Sequence, residues 1–79
     1  MNWSGPVAGA LLSLTPRELE IVKLIALNQP NKAIADQLGI ASKTVEHYRA
    51  NIYLKLQVNS GISLTHLALA YGLVPNRFL

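Results

Sequence analysis

Apolar residues recur along this chain at three- and four-residue steps, the period of helices that bury one face. Leu19, Val22, Ile25 and Ala26 form the first such stripe. Ahead of it, Leu14-Thr-Pro-Arg-Glu18 carries the marks of a helix start. Thr15 can cap, Pro16 suits the first helical position, and Glu18 completes a capping box. Leu14 and Leu19 stand where a hydrophobic staple would close over that start. The first predicted helix runs to about Leu27, and Asn28 suits the left-handed residue that follows a helix. Pro30 bars continuation. Asn31 can cap a second, shorter helix to about Leu38, with Ile34, Ala35 and Leu38 facing inward. Gly39 ends it, where positive φ costs little, and Ile40 plugs the turn. A third helix is predicted from about Ser42 to Leu56, with Val45, Tyr48, Ile52 and Leu56 as its inner stripe. A fourth begins near Ser60–Ile62 and ends at Gly72, and it has more apolar surface than one face needs. Residues 1–13 show no clear period and hold Gly5, Pro6 and Gly9, which predicts a linker or N-terminal tail, with Val7–Leu12 resting on the domain. The expected fold is all-α, a four-helix bundle over residues 14–74 with a C-terminal tail at 75–79.

Composition supports one small domain. A chain of 79 residues buries only about 60–65% of its unfolded surface. With no cysteine, neither disulfides nor thiolate metal sites can supplement the core. The 51% hydrophobic content compensates. No apolar run approaches the ~18 residues of a membrane span, and the start lacks the charged and apolar blocks of a secretory signal. A cytoplasmic protein is expected.

The second and third predicted helices, hinged at Gly39, have the plan of a helix-turn-helix, whose second helix enters the DNA major groove. The formal charge is only +3, but its placement is informative. Lys43, Arg49 and Lys55 fall on the third helix against the single acid Glu46, an electrostatic footprint for phosphates. With Lys32 they are the candidate phosphate anchors, the plain alternative being solvated surface charge. Asn31, Ser42 and Thr44 can donate near helix N-termini, which themselves favour anions. Four neutralised phosphates per protomer would give a log–log salt slope of about −3.6. No catalytic constellation is present: His47 and His66 lie on different helices, and no carboxylate cluster completes a metal site. Neither an enzyme nor a bound cofactor or metal is expected.

Leu14-Thr-Pro-Arg-Glu18, Asn31-Lys-Ala-Ile-Ala35, Leu38-Gly-Ile40, Lys43-Thr-Val45, Arg49-Ala-Asn-Ile52, Lys55-Leu56 and Gly72-Leu73 stand in the order and spacing of LuxR/GerE-type helix-turn-helix domains. The chain resembles that family from about Leu14 to Val74. Such domains also end the NarL-type response regulators of two-component systems. The resemblance implies a four-helix domain, a recognition helix at 42–56, a double-stranded DNA partner and homodimerisation through the fourth helix. Base-reading positions in similar proteins fall on Glu46, His47 and Ala50. His47 can donate to guanine or accept from adenine, Ala50 can touch a thymine methyl, and Glu46 can accept from cytosine N4. For Glu46 an intrahelical pair with Lys43 or Arg49 is the preferred reading, because a bare carboxylate near phosphates is repelled.

Several residues depart from the family pattern. Asn28 replaces a usual glycine, Ala41 a capping serine, Tyr48 a frequent histidine, Gln57 a common glycine, and Ser60-Gly61 a common Asn-Arg. Loss of the cap before the recognition helix costs ~1 kcal/mol unless Ser42 takes over. Tyr48 is expected mostly buried. Tyr53 and Leu54 are ambiguous.

On the fourth helix, Leu64, Leu67, Ala68 and Tyr71 include the expected dimer seam and also finish the monomer core. The leading expectation is a sequence-specific transcriptional regulator, or the output domain of a response regulator. RNA polymerase is a further candidate partner. A sigma-like promoter reader and a protein-interaction module using Leu64–Val74 are the alternatives. The Gly/Pro-bearing start resembles an interdomain linker, so a receiver or ligand-binding domain is expected ahead of it, with a free-standing regulator as the other possibility.

Overall fold

Five helices and no strand make up the described residues, 5–75, of the computed structural model. They are α1 (Gly5–Leu12), α2 (Pro16–Ala26), α3 (Asn31–Leu38), α4 (Ser42–Leu56) and α5 (Gly61–Ala70). The last four stand where the hydrophobic period predicts helices. The first is additional, so the expected count of four becomes five. The stretch from Gly5 to Leu12 is apolar almost throughout, and no polar residue marks an outer face from which a period could be read. Ala8 and Leu11, three residues apart, are buried, and α1 lies against α4. Residues 1–4 and 76–79 of the expected tails lie outside the described residues.

Local chemistry sets the boundaries. At the start of α2 the Glu18 amide donates to Thr15 Oγ1 (3.1 Å) while the Thr15 amide donates to Glu18 Oε1 (2.9 Å), so both halves of the capping box form. Past its end, Asn28 takes φ 65°. The Gln29 amide donates to the Leu24 carbonyl (3.0 Å) and the Asn28 amide to that of Ile25 (2.9 Å), the paired bonds of a Schellman end. Gly39 takes φ 68° after α3, and the Ile40 amide reaches back to the Ala35 carbonyl (3.0 Å). Asn31 does not cap α3 as expected. Pro30 occupies the cap position, and Asn31 is the first helical residue. Nor does Ser42 replace the missing cap of α4: Ala41 holds that position with no side-chain bond. Gln57 closes α4 in the left-handed region, φ 55°. Ser60 caps α5 through Oγ, which accepts from the Ser63 amide (3.1 Å).

The core is one cluster. α5 packs chiefly on α2, α3 on α4, and α4 also on α2. Ile21, Val22, Ile34, Val45, Ile52 and Leu64 are its largest fully enclosed side chains, each stabilising by about 1.5–3 kcal/mol when withdrawn from water. The inner face of α2 is turned from the expected one. It runs Glu18, Ile21, Val22 and Ile25, while Leu19 and Ala26 are only half-buried. The first member of the buried stripe is therefore a carboxylate.

Candidate nucleic-acid interface

Packing of Val45, Ile52 and Leu56 into the core leaves the opposite strip of α4 in solvent. Lys43, Glu46, His47, Ala50 and Leu54 are all exposed there. Four of them (43, 47, 50 and 54) follow one another at four-, three- and four-residue steps, so they form a single edge. Ser42 and Thr44 are exposed beside it, and Lys32 is exposed on α3. The Thr44 and Val45 amides both turn back to the Ala41 carbonyl (3.0 and 3.2 Å). The amides of Ser42 and Lys43, ahead of them, have no intrahelical acceptor, and the positive end of the helix dipole faces water beside Lys43.

The other two cations of α4 are engaged with the protein itself. Arg49 is half-buried. Its Nη1 donates to Asn31 Oδ1 (3.0 Å) and its Nη2 to the Tyr53 hydroxyl (2.7 Å). The guanidinium carbon lies 5.7 Å from the Tyr53 ring centroid. Lys55 Nζ donates to Glu18 Oε1 (2.8 Å), the same oxygen that accepts from the Thr15 amide. Glu18 is 5% exposed. The Lys55 ammonium, then the Thr15 amide, hold its carboxyl below the usual carboxylate range, outweighing burial, which acts the other way.

The intrahelical pair expected for Glu46 is absent. The ion pairs among the described residues are Arg17–Glu20 and Lys55–Glu18. Arg49 is drawn away to Asn31 and Tyr53, so Glu46 stands exposed on the edge without a cationic partner. On α5, Leu64 and Ala68 are 0% exposed. Both finish the monomer core, as expected, because this stripe of α5 covers α2. Leu67 and Tyr71 are half-buried and pack against the core. The side of α5 in solvent carries Ile62, 72% exposed, with His66 and Ala70. No group of His, Cys, Asp and Glu among the described residues could hold a metal, and none of their helices is long and apolar enough to cross a membrane.

Residues 12–68 match the family model for bacterial regulatory proteins of the luxR family. The chain belongs to the luxR family. Response regulator UvrY of Escherichia coli K12 is 41% identical over 61 residues, 77% of this chain and 28% of that protein. Uncharacterized response regulatory protein YgeK of the same strain is 52% identical over 59 residues, 75% of this chain and 40% of the relative. Transcriptional regulatory protein FixJ of Bradyrhizobium diazoefficiens is 37% identical over 68 residues, 86% of this chain and 33% of FixJ. The chain thus spans less than half the length of the curated relatives it matches. Within it, α3 and α4 are the helix-turn-helix of a luxR-family DNA-binding domain.

Two features of this luxR-family site escape a reading of the sequence. Tyr53, ambiguous by period, is the partner that holds Arg49. Glu18 was legible only as a capping residue. A signal for its second role was available, since it lies three, four and seven residues before Ile21, Val22 and Ile25, on the face that goes inside.

Proposed function

We propose that this chain is the DNA-binding output domain of a response regulator, reading the major groove through α4 as a homodimer in the cytoplasm. One observation carries the reading. The exposed edge of α4 holds Lys43, Glu46, His47 and Ala50 in line, opposite a fully packed inner face. None of these side chains is needed for the core, which supports a role for this edge in contacting DNA. Lys32, Lys43, Ser42, Thr44 and the open amides at the start of α4 take the backbone phosphates; Glu46, His47 and Ala50 face the bases. Lys55 and Arg49 are left out of the phosphate count, since Lys55 is held by Glu18 and Arg49 by Asn31 and Tyr53, although each keeps further donors. The expected log–log salt slope falls accordingly from about −3.6 to about −1.8 per protomer.

Pairing uses the solvent side of α5 around Ile62 and His66 rather than Leu64 and Ala68. A two-fold axis there sets two α4 helices about 34 Å apart, one turn of DNA. Selection from a pool of random duplexes tests the function. An enriched motif with half-sites about one turn apart supports it. No retention even at low salt refutes it and leaves a protein-interaction module docking through α5. On the selected site, Glu46→Gln separates two roles for that carboxylate. Altered preference at one base pair marks a base reader. Uniformly tighter binding with unchanged preference marks an electrostatic brake on binding.

A further inference from the structure

Arg49 sits in the most basic helix of a DNA-binding domain, yet its contacts run inward. We infer that Arg49 is a positioning residue: with Asn31, Tyr53 and the bare backbone of Gly61 it forms a brace that fixes the angle of the recognition helix. This rests on the DNA-binding reading of α4.

The geometry is that of a triangle. α3 and α4 meet at the turn Gly39–Ile40–Ala41. Asn31 is the first residue of α3 and stands at its far end, about 12 Å from the turn along an eight-residue helix. Arg49 lies seven residues into α4, about 10 Å from the same turn. A vertex alone fixes where two helices join and leaves their opening angle to packing. The bond from Arg49 Nη1 to Asn31 Oδ1, 3.0 Å long between residues 18 apart, closes the third side. At that lever length a 1 Å change in the third side turns α4 by about 5°. Groove readout needs side chains held within about 0.5 Å of their productive geometry, so about 1 Å of slack in the brace already exceeds that distance tolerance at Ala50.

Tyr53 supplies the second hold. Its hydroxyl accepts from Nη2 at 2.7 Å, and its ring lies under the guanidinium. Both planar groups then have one defined place between them, which a lysine could not occupy in the same way. Gly61 supplies the room. A Cβ there would stand 3.1 Å from Arg49 Nη2 and 3.6 Å from the Tyr53 hydroxyl. Gly61 is therefore a matter of space: a side chain there is tight against the guanidinium, which would have to shift by a few tenths of an ångström to admit it. The Ser60-Gly61 pair, which replaces a common Asn-Arg of the family pattern, becomes the clearance for the brace.

The experiment measures binding of the wild-type chain and of Arg49→Met, Arg49→Lys and Tyr53→Phe to the selected duplex and to random duplex, across a salt series. A brace predicts that Arg49→Met loses about ten-fold on the selected site, with less discrimination against random duplex and an unchanged salt slope. Arg49→Lys does not rescue it. Tyr53→Phe, which removes no charge, narrows discrimination in the same direction. A phosphate anchor predicts the reverse. Arg49→Met would then shrink the slope by about 0.9 with discrimination intact, Arg49→Lys would restore binding, and the inference would fall. It also falls if Tyr53→Phe binds and discriminates like the wild type, which keeps the test decisive should Arg49→Met not fold. If the wild-type chain selects no duplex, the functional reading fails instead. The brace is then judged in the free protein by a denaturation cycle of Asn31→Ala and Arg49→Met. A coupling of about five-fold or more in the folding constant upholds it, and independent effects overturn it.

Discussion

α2 and α4 begin in opposite ways. The start of α2 is closed: Thr15 and Glu18 satisfy each other's backbone amides, and the Glu18 carboxylate is sealed against the core by Lys55. The start of α4 is open: Ala41 offers no side-chain cap, and the amides that follow it point to water beside Lys43. The first amides of a helix lack an intrahelical acceptor. In α2 those of Thr15 and Glu18 are taken by the capping box. In α4 those of Ser42 and Lys43 are left open. A domain this small keeps a closed frame under an open reading helix, and Lys55 joins the two, since it belongs to α4 but serves α2.

Breaking the closed end should have the largest effect. Glu18→Ala removes a capping box and the partner of Lys55 together, at about 2 kcal/mol after allowing for the partial exposure of the lysine. For a domain of this size that lowers Tm by roughly 8–16 °C, measurable by circular dichroism. Acid comes next. The Glu18 carboxyl is held below its usual range when folded, so the unfolded chain binds more protons. Its contribution is therefore complete above the pH where an unfolded glutamate ionises, and is lost as pH falls through the lower folded pKa. The acid limb of stability should be steep in the wild type and shallower in Glu18→Gln.

Lys55→Met leaves the carboxylate one donor short while keeping the packed stem. A loss of about 1 kcal/mol is expected, with no change in the salt slope of DNA binding if the bond to Glu18 keeps Lys55 from the phosphates. A reduced slope would return it to the reading surface. The smallest change sharpens the comparison from the other side. Ala41→Ser should stabilise the free domain by about 0.5–1 kcal/mol by closing α4 as α2 is closed. A thermal melt no higher than the wild type would show that the open start costs nothing.

Most of the scaffold was legible in the residues. The Thr15–Glu18 box, the left-handed Asn28 and Gly39, and the limits of the helix at Ser42–Leu56 all follow from short-range chemistry, and each stands where its local sequence places it. α1 was not legible, because Gly5–Leu12 has too few polar residues to show which side faces out. Asn31 and Ala41 show a subtler limit. Pro30 can serve as the residue before α3 without any side-chain bond, and that frees Asn31 for Arg49. Charge was the hardest feature to read. Lys43 and Lys55 are lysines of one helix, and nothing near Lys55 in sequence announces Glu18.

By itself, then, the sequence determined four of the five helices, their stops, and the strip of α4 that faces away from the core. All of these depend on residues within a turn or two of each other, where backbone geometry limits the options. Only the tertiary structure decided which cations are free. Glu18 lies 37 residues from Lys55, and Asn31 lies 18 from Arg49. No period links such pairs. Packing of α2 and α3 against α4 brings them together, and only there do Lys55 and Arg49 find their partners within the fold.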